Sequence, residues 1–237
     1  MTTRRLFLSP DRISEDRAVL TAEAAHYLRD VLRLGAGAEV ELFDGAGSSY
    51  PARLDADLAS LRLGPRREAR PQMALWLLVA LAKGEKMDFV VQKATELGAA
   101  RVSPFAAARS VVRLDRARGA ARVLRWRRIA AEAARQCGRS DVPLVAEPVS
   151  LVEALGPVPA GFARFAFHPG GEPLSGEAGG AGVAAVIGPE GGFSPEEVRS
   201  CELAGARFVS LGPRILRAET AAVVAAALLQ ARFGDLA

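Results

Sequence analysis

Val183-Ala-Ala-Val-Ile-Gly-Pro-Glu-Gly-Gly-Phe-Ser-Pro-Glu-Glu-Val198, followed closely by Arg207-Phe-Val-Ser-Leu-Gly-Pro-Arg-Ile-Leu-Arg-Ala-Glu-Thr-Ala221, decides how this chain is read. In each stretch a short apolar, β-branched run meets a glycine turn and then a helical pattern. Glycine lets backbone N–H groups approach a ligand that side chains would block. Ser194 is a good N-cap, Pro195 suits the first helical position and Glu197 completes a capping box, so the first loop ends at a well-specified helix start. The second runs into Glu219-Thr-Ala-Ala-Val-Val224, with an acidic side chain near the positive end of the helix dipole. Two such loops side by side suggest a ligand cradle at one edge of a sheet.

Gly188-Pro-Glu-Gly-Gly192 has neither the Gly-x-Gly-x-x-Gly spacing of a dinucleotide fingerprint nor the Gly-Lys-Ser/Thr end of a phosphate loop. One such loop alone would read as an ordinary tight turn. A second, bearing Arg214 and Arg217, favours function.

Working outward, the strands 183–187 and 207–211 alternate with helices 195–204 and 219–233. The same alternation reaches back to Ala74–Ala82, a continuous apolar run of the kind found in a central parallel strand. A helix over Met87–Leu97 closed by Gly98, a strand over Arg101–Phe105, a long helix over 116–137 and a strand over Phe162–Phe167 complete an α/β layer fold. Upstream the grammar differs. Arg4–Leu8, Glu39–Phe43, Tyr50–Leu54 and Ser60–Leu63 are short strand candidates, with turn chemistry at Asp44-Gly45 and one helix over Ala22–Leu34. In that helix Ala25, Leu28 and Leu32 form the apolar face, and Gly35 is its stop. A small β-barrel is expected there, suited to holding a structured polymer. Gly64-Pro-Arg-Arg-Glu-Ala-Arg-Pro71 has no apolar periodicity and reads as the linker, which sets domains at 1–70 and 71–237.

With 237 residues, half of them hydrophobic, the chain can bury a full core. No apolar run is long enough to span a bilayer, and Met1-Thr-Thr-Arg-Arg5 leads into no secretory segment, so a cytoplasmic location is expected. Cys137 and Cys201 are too few for a disulfide framework, and two histidines, His26 and His168, make a metal centre improbable. The net charge of +4 says little, but its distribution says more. Residues 101–140 carry 11 arginines against Asp115 and Glu132, whereas residues 1–70 balance at 11 basic and 11 acidic side chains.

In the 116–137 helix, Arg118, Arg122, Arg125 and Arg128 form a basic stripe opposite Val123, Trp126, Ala130, Ala133 and Cys137. Such a stripe is often only a solvated face. Without acids at i+4 other than Glu132 it gains little from internal pairing, and an anionic polymer is the economical partner. Lys83, Lys86 and Lys93 are the only lysines, gathered at a strand end and the helix after it, where phosphate contacts suit a flexible point charge. His168-Pro169-Gly170-Gly171 follows a strand, and Glu190 sits where helix N–H groups could hold its carboxylate.

Ile187-Gly-Pro-Glu-Gly-Gly-Phe193 with Leu211-Gly-Pro-Arg-Ile-Leu-Arg-Ala-Glu-Thr-Ala221 resembles the signature of the RsmE family, SPOUT-class methyltransferases acting on N3 of a uridine in 16S ribosomal RNA of the small subunit. Gly35–Gly45, Lys83–Phe89, Gln92–Gly98 and Gln136-Cys-Gly-Arg139 extend the likeness over nearly the whole chain. Arg135 stands where a glutamate is more usual in that family. The resemblance implies a PUA-like β-barrel before a trefoil-knotted α/β domain, a fold that periodicity would not suggest because chains almost never thread themselves. It implies S-adenosylmethionine bound by His168, Pro169, Ile187, Gly188, Pro189, Glu190, Gly191, Gly192, Leu211, Gly212, Ile215, Leu216, Arg217, Thr220 and Ala221. It also implies a homodimer, no metal and no membrane. Arg217 is the candidate cation for charge developing on the uracil carbonyls, with Glu190 beside it. Arg4, Arg33, Lys83, Lys86, Arg118, Arg122, Arg125 and Arg139 are the candidate RNA contacts. Two other classes stay open at this point. A non-catalytic RNA-binding protein leaves the paired glycine loops unexplained, and an ordinary dehydrogenase lacks its fingerprint.

Overall fold

A computed structural model describes residues 4–70, 72–110, 116–175 and 180–236, with the side chains of 116–118 left aside. The chain divides into two compact units, Met1–Pro71 with Ala131–Val142, and Gln72–Ala130 with Pro143–Ala237.

The first unit holds β1 (Arg5–Phe7), β2 (Arg17–Val19), α1 (Ala22–His26), β3 (Glu39–Phe43), β4 (Ser48–Leu54), β5 (Ser60–Leu63) and β6 (Arg67–Glu68). They form one sheet in the order β1-β3-β4-β5-β2, with β6 on β4. All pairings are antiparallel except β1 on β3. Among the described residues its hydrogen-bonded path ends at β1 and β2 and does not close into a ring. Alternation along β3 and β4 sends Val40, Leu42, Ala52 and Leu54 into a core shared with Leu28 and Leu61.

Three expectations are corrected here. The helix over Ala22–Leu34 is α-helical only to His26 and continues through Val31 as a wider turn, in which the Leu32 N–H donates to the Tyr27 carbonyl at 2.9 Å. The segment expected as linker carries β6, and Arg66 Nε donates to Ser48 Oγ at 3.0 Å, so it is tied to β4 through polar pairing that apolar periodicity does not report. Residues 131–142, expected in the second domain, pack with the first. There Arg5, nearly buried, donates to the Ala134 and Arg139 carbonyls at 3.2 and 2.8 Å, and Val142 N–H donates to the Gly45 carbonyl at 2.9 Å. Arg135 is held in the same unit, hydrogen-bonded to the Tyr27 hydroxyl at 2.8 Å and stacked on its ring at 5.1 Å.

The second unit runs β7 (Ala74–Ala80), α2 (Lys86–Glu96), β8 (Ala99–Ala106), α3 (Arg116–Cys137), β9 (Leu144–Val145), β10 (Val149–Ser150), α4 (Leu151–Leu155), β11 (Phe162–Pro173), β12 (Gly182–Ile187), α5 (Pro195–Leu203), β13 (Arg207–Ser210) and α6 (Ala218–Phe233). The last turns of α3 count with the first unit. The sheet is parallel throughout, ordered β10-β8-β7-β12-β11-β13 with β9 on β8. Its central strands are buried on both faces, as continuous apolar runs require. Leu78, Ala80, Ala184 and Val186 pack with α4 and α5. Leu75, Leu77 and Val79 point the other way, and α6 packs on α2, β7 and β12. Cys137, expected on the buried face of α3, is exposed at the helix's last residue. No helix among the described residues is long and apolar enough to cross a membrane.

Candidate functional site

Strand β11 lies between β12 and β13, so the loops leaving the carboxyl ends of these three parallel strands are neighbours. On β11 the pairing with β13 slips between Phe167 and Glu172, so that both oppose Val209, and His168–Gly171 bulge out. The His168 ring stands edge-on to Phe208 at 6.2 Å, and its Nδ1 accepts from the Gly170 N–H at 3.1 Å, a structural role for this histidine. After β12 the chain turns at Pro189–Gly192, with Gly192 N–H donating to the Pro189 carbonyl at 2.9 Å. The capping box then starts α5: Ser194 accepts from Glu197 N–H, and Glu197 accepts from Ser194 N–H at 2.8 Å. Glu197 also accepts from Ala108 N–H at 2.8 Å, which ties the first loop to the end of β8. After β13, Ser210 Oγ accepts from Gly212 N–H at 3.1 Å and shapes the second loop.

These loops enclose one cleft. Its walls are His168 and Pro169 from the bulge, Ile187, Gly188, Pro189, Glu190 and Gly192 from the first loop, and Leu211, Gly212, Ile215 and Leu216 from the second. Ala221 of α6 closes it. Three of the residues expected here are not among its walls. Gly191 borders a neighbouring cleft, where its carbonyl accepts from Arg109 Nη1 at 3.1 Å. Arg217 is the N-cap of α6 and Thr220 lies in its first turn; both are exposed and line neither cleft. Phe167, Phe193, Arg214 and Ala218 line the first cleft without having been assigned to it. Phe193 and Arg214 stand inside the two quoted motifs, which was the available signal.

Glu190 is not held by helix N–H groups as expected. It pairs with Lys86 Nζ, whose other carboxylate partner, Glu219 Oε2, is 3.5 Å away in the first turn of α6. The hydrogen bond from Lys86 holds the Glu190 carboxyl below the usual carboxylate range, with the charges of Arg217 and Lys83 acting in the same direction. Reciprocally, Glu190 and then Glu219 raise the Lys86 ammonium above the ordinary lysine value.

Of the candidate RNA contacts, Arg4, Arg33 and Lys83 are exposed. Lys86 is committed to two carboxylates, and Arg139, its side chain 11% exposed, is locked to Asp141 at 2.5 Å. Arg125 pairs with Asp88 at 2.5 Å, an acid also taken by Trp126 Nε1 at 3.0 Å, so the basic stripe has compensating charge on α2 rather than at i+4. Arg122 is half-buried, and the side chain of Arg118 lies outside the described residues. Lys93 pairs with Glu96 one turn on. Among the described residues no cluster of three histidine, cysteine or acidic side chains could hold a metal.

Comparison with known proteins gives a consistent result. Residues 69–230 match the RNA methyltransferase domain family, and residues 20–63 match the RNA methyltransferase PUA domain. The ribosomal RNA small subunit methyltransferase E of Synechocystis sp. is 33% identical over 96% of this chain and 77% of its own length. The protein of that name from Bacillus subtilis is 31% identical over 87% of this chain and 86% of its own. Among solved structures, a methyltransferase from Legionella pneumophila in complex with bound SAM matches with TM-score 0.88 and 32% identity, covering 100% of both chains. The ribosomal RNA small subunit methyltransferase E of Neisseria gonorrhoeae, bound to S-adenosyl methionine, matches with TM-score 0.89 and 29% identity, also over 100% of both.

Proposed function

The chain belongs to the RNA methyltransferase family, and from that premise we propose that it methylates N3 of a uridine in 16S ribosomal RNA of the small subunit, using S-adenosylmethionine. The observation that carries this reading is the single cleft made by three loops at adjacent strand ends, in a fold matched over its full length by methyltransferases solved with that cofactor. The site fits it: apolar walls from Ile187, Leu211 and Leu216 suit the adenosine, and Gly192 and Gly212, where an added Cβ would meet no protein atom within 4 Å, leave backbone groups open to its approach. When bound, the cofactor supplies a methyl group already activated on a sulfonium.

The protein's own task is then to align the uracil and to favour loss of its N3 proton. Alignment supplies much of the barrier reduction. As the proton passes to solvent water, negative charge spreads onto the flanking carbonyl oxygens, and a fixed cation beside them stabilises that state more than the ground state. Arg217, whose charge already reaches Glu190, is proposed for this, with Glu190 at the cleft edge orienting the reacting groups. The segments about 188–192 and 211–220 are proposed to run through a trefoil knot. The domain over 1–70 is proposed to grip RNA, with the small ribosomal subunit or its RNA as partner. The α6 helix, apolar on nearly every side, is proposed to find its remaining cover in a second copy of the chain. A cytoplasmic location follows from that substrate.

The test is mass mapping of small-subunit ribosomal RNA from a strain lacking the gene. One methyl group should be missing from one uridine and return on complementation. An unchanged RNA would reject the reading, and a loss at another base or RNA would redirect it.

A further inference from the structure

A second cleft adjoins the cofactor cleft and shares Pro189, Glu190 and Ala218 with it. Whatever occupies one therefore lies against whatever occupies the other, as a methyl donor and its acceptor must. The two differ in charge. The second is lined by the cations Lys83, Lys86 and Arg109 against one carboxylate, Glu190. Lys83 and Arg109 are exposed, and Arg109 spends one N–H on the Gly191 carbonyl at 3.1 Å, leaving further donors of its guanidinium for a ligand.

Lys86 breaks a local rule. It is the first residue of α2, at the positive end of the helix dipole, where a cation is disfavoured and an anion is expected. Two carboxylates brought from distant parts of the chain hold it there. One is Glu190 on the wall shared by the clefts; the other is Glu219, whose side chain is 16% exposed. Structure built around a locally unfavourable residue is a mark of function. The result is an ammonium fixed in place at the boundary of the two clefts.

Resting on the uridine-methyltransferase reading, we infer that the second cleft seats the target nucleotide, with Lys86 facing a uracil carbonyl oxygen and Lys83 and Arg109 meeting the flanking phosphates. Lys86 then has its third N–H, beyond those turned to Glu190 and Glu219, to donate from the cleft wall to a carbonyl oxygen of the uracil losing its N3 proton, beside the cation proposed at Arg217, while Glu219 positions it. This assigns Lys86 to the base rather than to the RNA backbone, and makes Lys83 and Arg109 the phosphate contacts.

The chain's three lysines, all within residues 83–93, make the test direct. Amines are acetylated in the wild-type protein carrying S-adenosylhomocysteine, with and without small-subunit ribosomal RNA, and modification is read at each lysine by mass spectrometry. RNA should slow labelling of Lys83 and Lys86 at least fivefold, leaving Lys93, paired with Glu96, unchanged as the internal reference. In parallel, Lys86→Met should lower single-turnover methylation at saturating cofactor and RNA by on the order of a hundredfold, the scale of losing one preorganised donor. Cofactor affinity should stay within twofold, and Lys86→Arg should recover part of the rate. Equal labelling of Lys86 with and without RNA, in a protein that does methylate the uridine, would overturn the inference and leave the function standing. So would a Lys86→Met variant whose rate returns to wild type at saturating cofactor, which would make Lys86 a prop for the first loop. A wild-type protein that methylates no uridine would overturn both.

Discussion

Gly212 offers a clean probe of the cofactor cleft. It lines that cleft with φ at +100°, and a Cβ built on it would meet no protein atom within 4 Å. Gly212→Ala therefore carries backbone strain of about 1–2 kcal/mol, partly offset by about 0.4–1 kcal/mol through a less flexible unfolded chain, and no steric clash. Gly205 is a matched control. Its φ is +73°, a Cβ there also meets nothing within 4 Å, and it follows α5 outside the cleft. Both alanine variants should lose stability by urea unfolding, Gly212→Ala the more because its φ lies further beyond the left-handed region open to an alanine, so affinity is compared at a temperature where both are folded. Calorimetric titration with S-adenosylmethionine should then separate them. Gly205→Ala should bind like wild type, and Gly212→Ala should bind at least about tenfold more weakly, or 1.4 kcal/mol, because the new methyl takes ligand space. Gly191 would be a poorer choice, since its Cβ would sit 3.2 Å from Arg109 Cβ and disturb a protein contact first. Equal affinities in the two variants would refute the placement of the cofactor against the second loop.

Glu197→Ala removes a nearly buried acceptor of two backbone N–H groups, at 2.8 Å each, and should cost about 3 kcal/mol by urea unfolding; a loss below about 1 kcal/mol would mean the capping box is dispensable. Burial pushes the Cys201 thiol up to about 12, so in the native protein a thiol reagent at pH 8 should find one cysteine, the exposed Cys137, and in denaturant two. Because the folded value is the raised one, Cys201's contribution to stability is complete below the ordinary thiol value and fades as pH rises from there toward 12. Arg217→Ala should cut single-turnover methylation on the order of a hundred- to a thousandfold at unchanged cofactor affinity, and a wild-type rate at saturating cofactor would remove Arg217 from the chemistry.

The parts of the fold that sequence alone conveys are those set by neighbours along the chain. The capping box at Ser194 and Glu197, the apolar runs of β7 and β12 and the span of α3 each follow from residues within a few positions of one another. Strand order does not. Alternating strands and helices are compatible with many orders, and only the folded chain brings β12 beside β7 and β11 between β12 and β13. The same distinction explains Arg125. Reading i+4 partners along α3 leaves it unpaired, yet Asp88 on another helix neutralises it, so the stripe is less basic than it reads. It explains residues 131–142 as well, whose place depends on Arg5, more than a hundred positions upstream.

At the site the division is sharper. The two glycine loops are visible in the sequence because backbone access and helix starts leave local marks, whereas Lys86 reads as a phosphate contact until Glu190 and Glu219 are brought to it. What local rules do provide is the place where they fail. A cation opens α2, and Ile215 stands 85% exposed on the second loop, an apolar side chain at the lip of the cofactor cleft. Full burial of an isoleucine side chain gains about 1.5–3 kcal/mol, and the folded chain alone leaves nearly all of that unrealised. A ligand that covers Ile215 would recover it on binding. The apolar lip and the fixed ammonium thus divide the work in physical terms: the first contributes affinity equally before and during reaction, and the second acts on charge that appears only as the uracil gives up its proton.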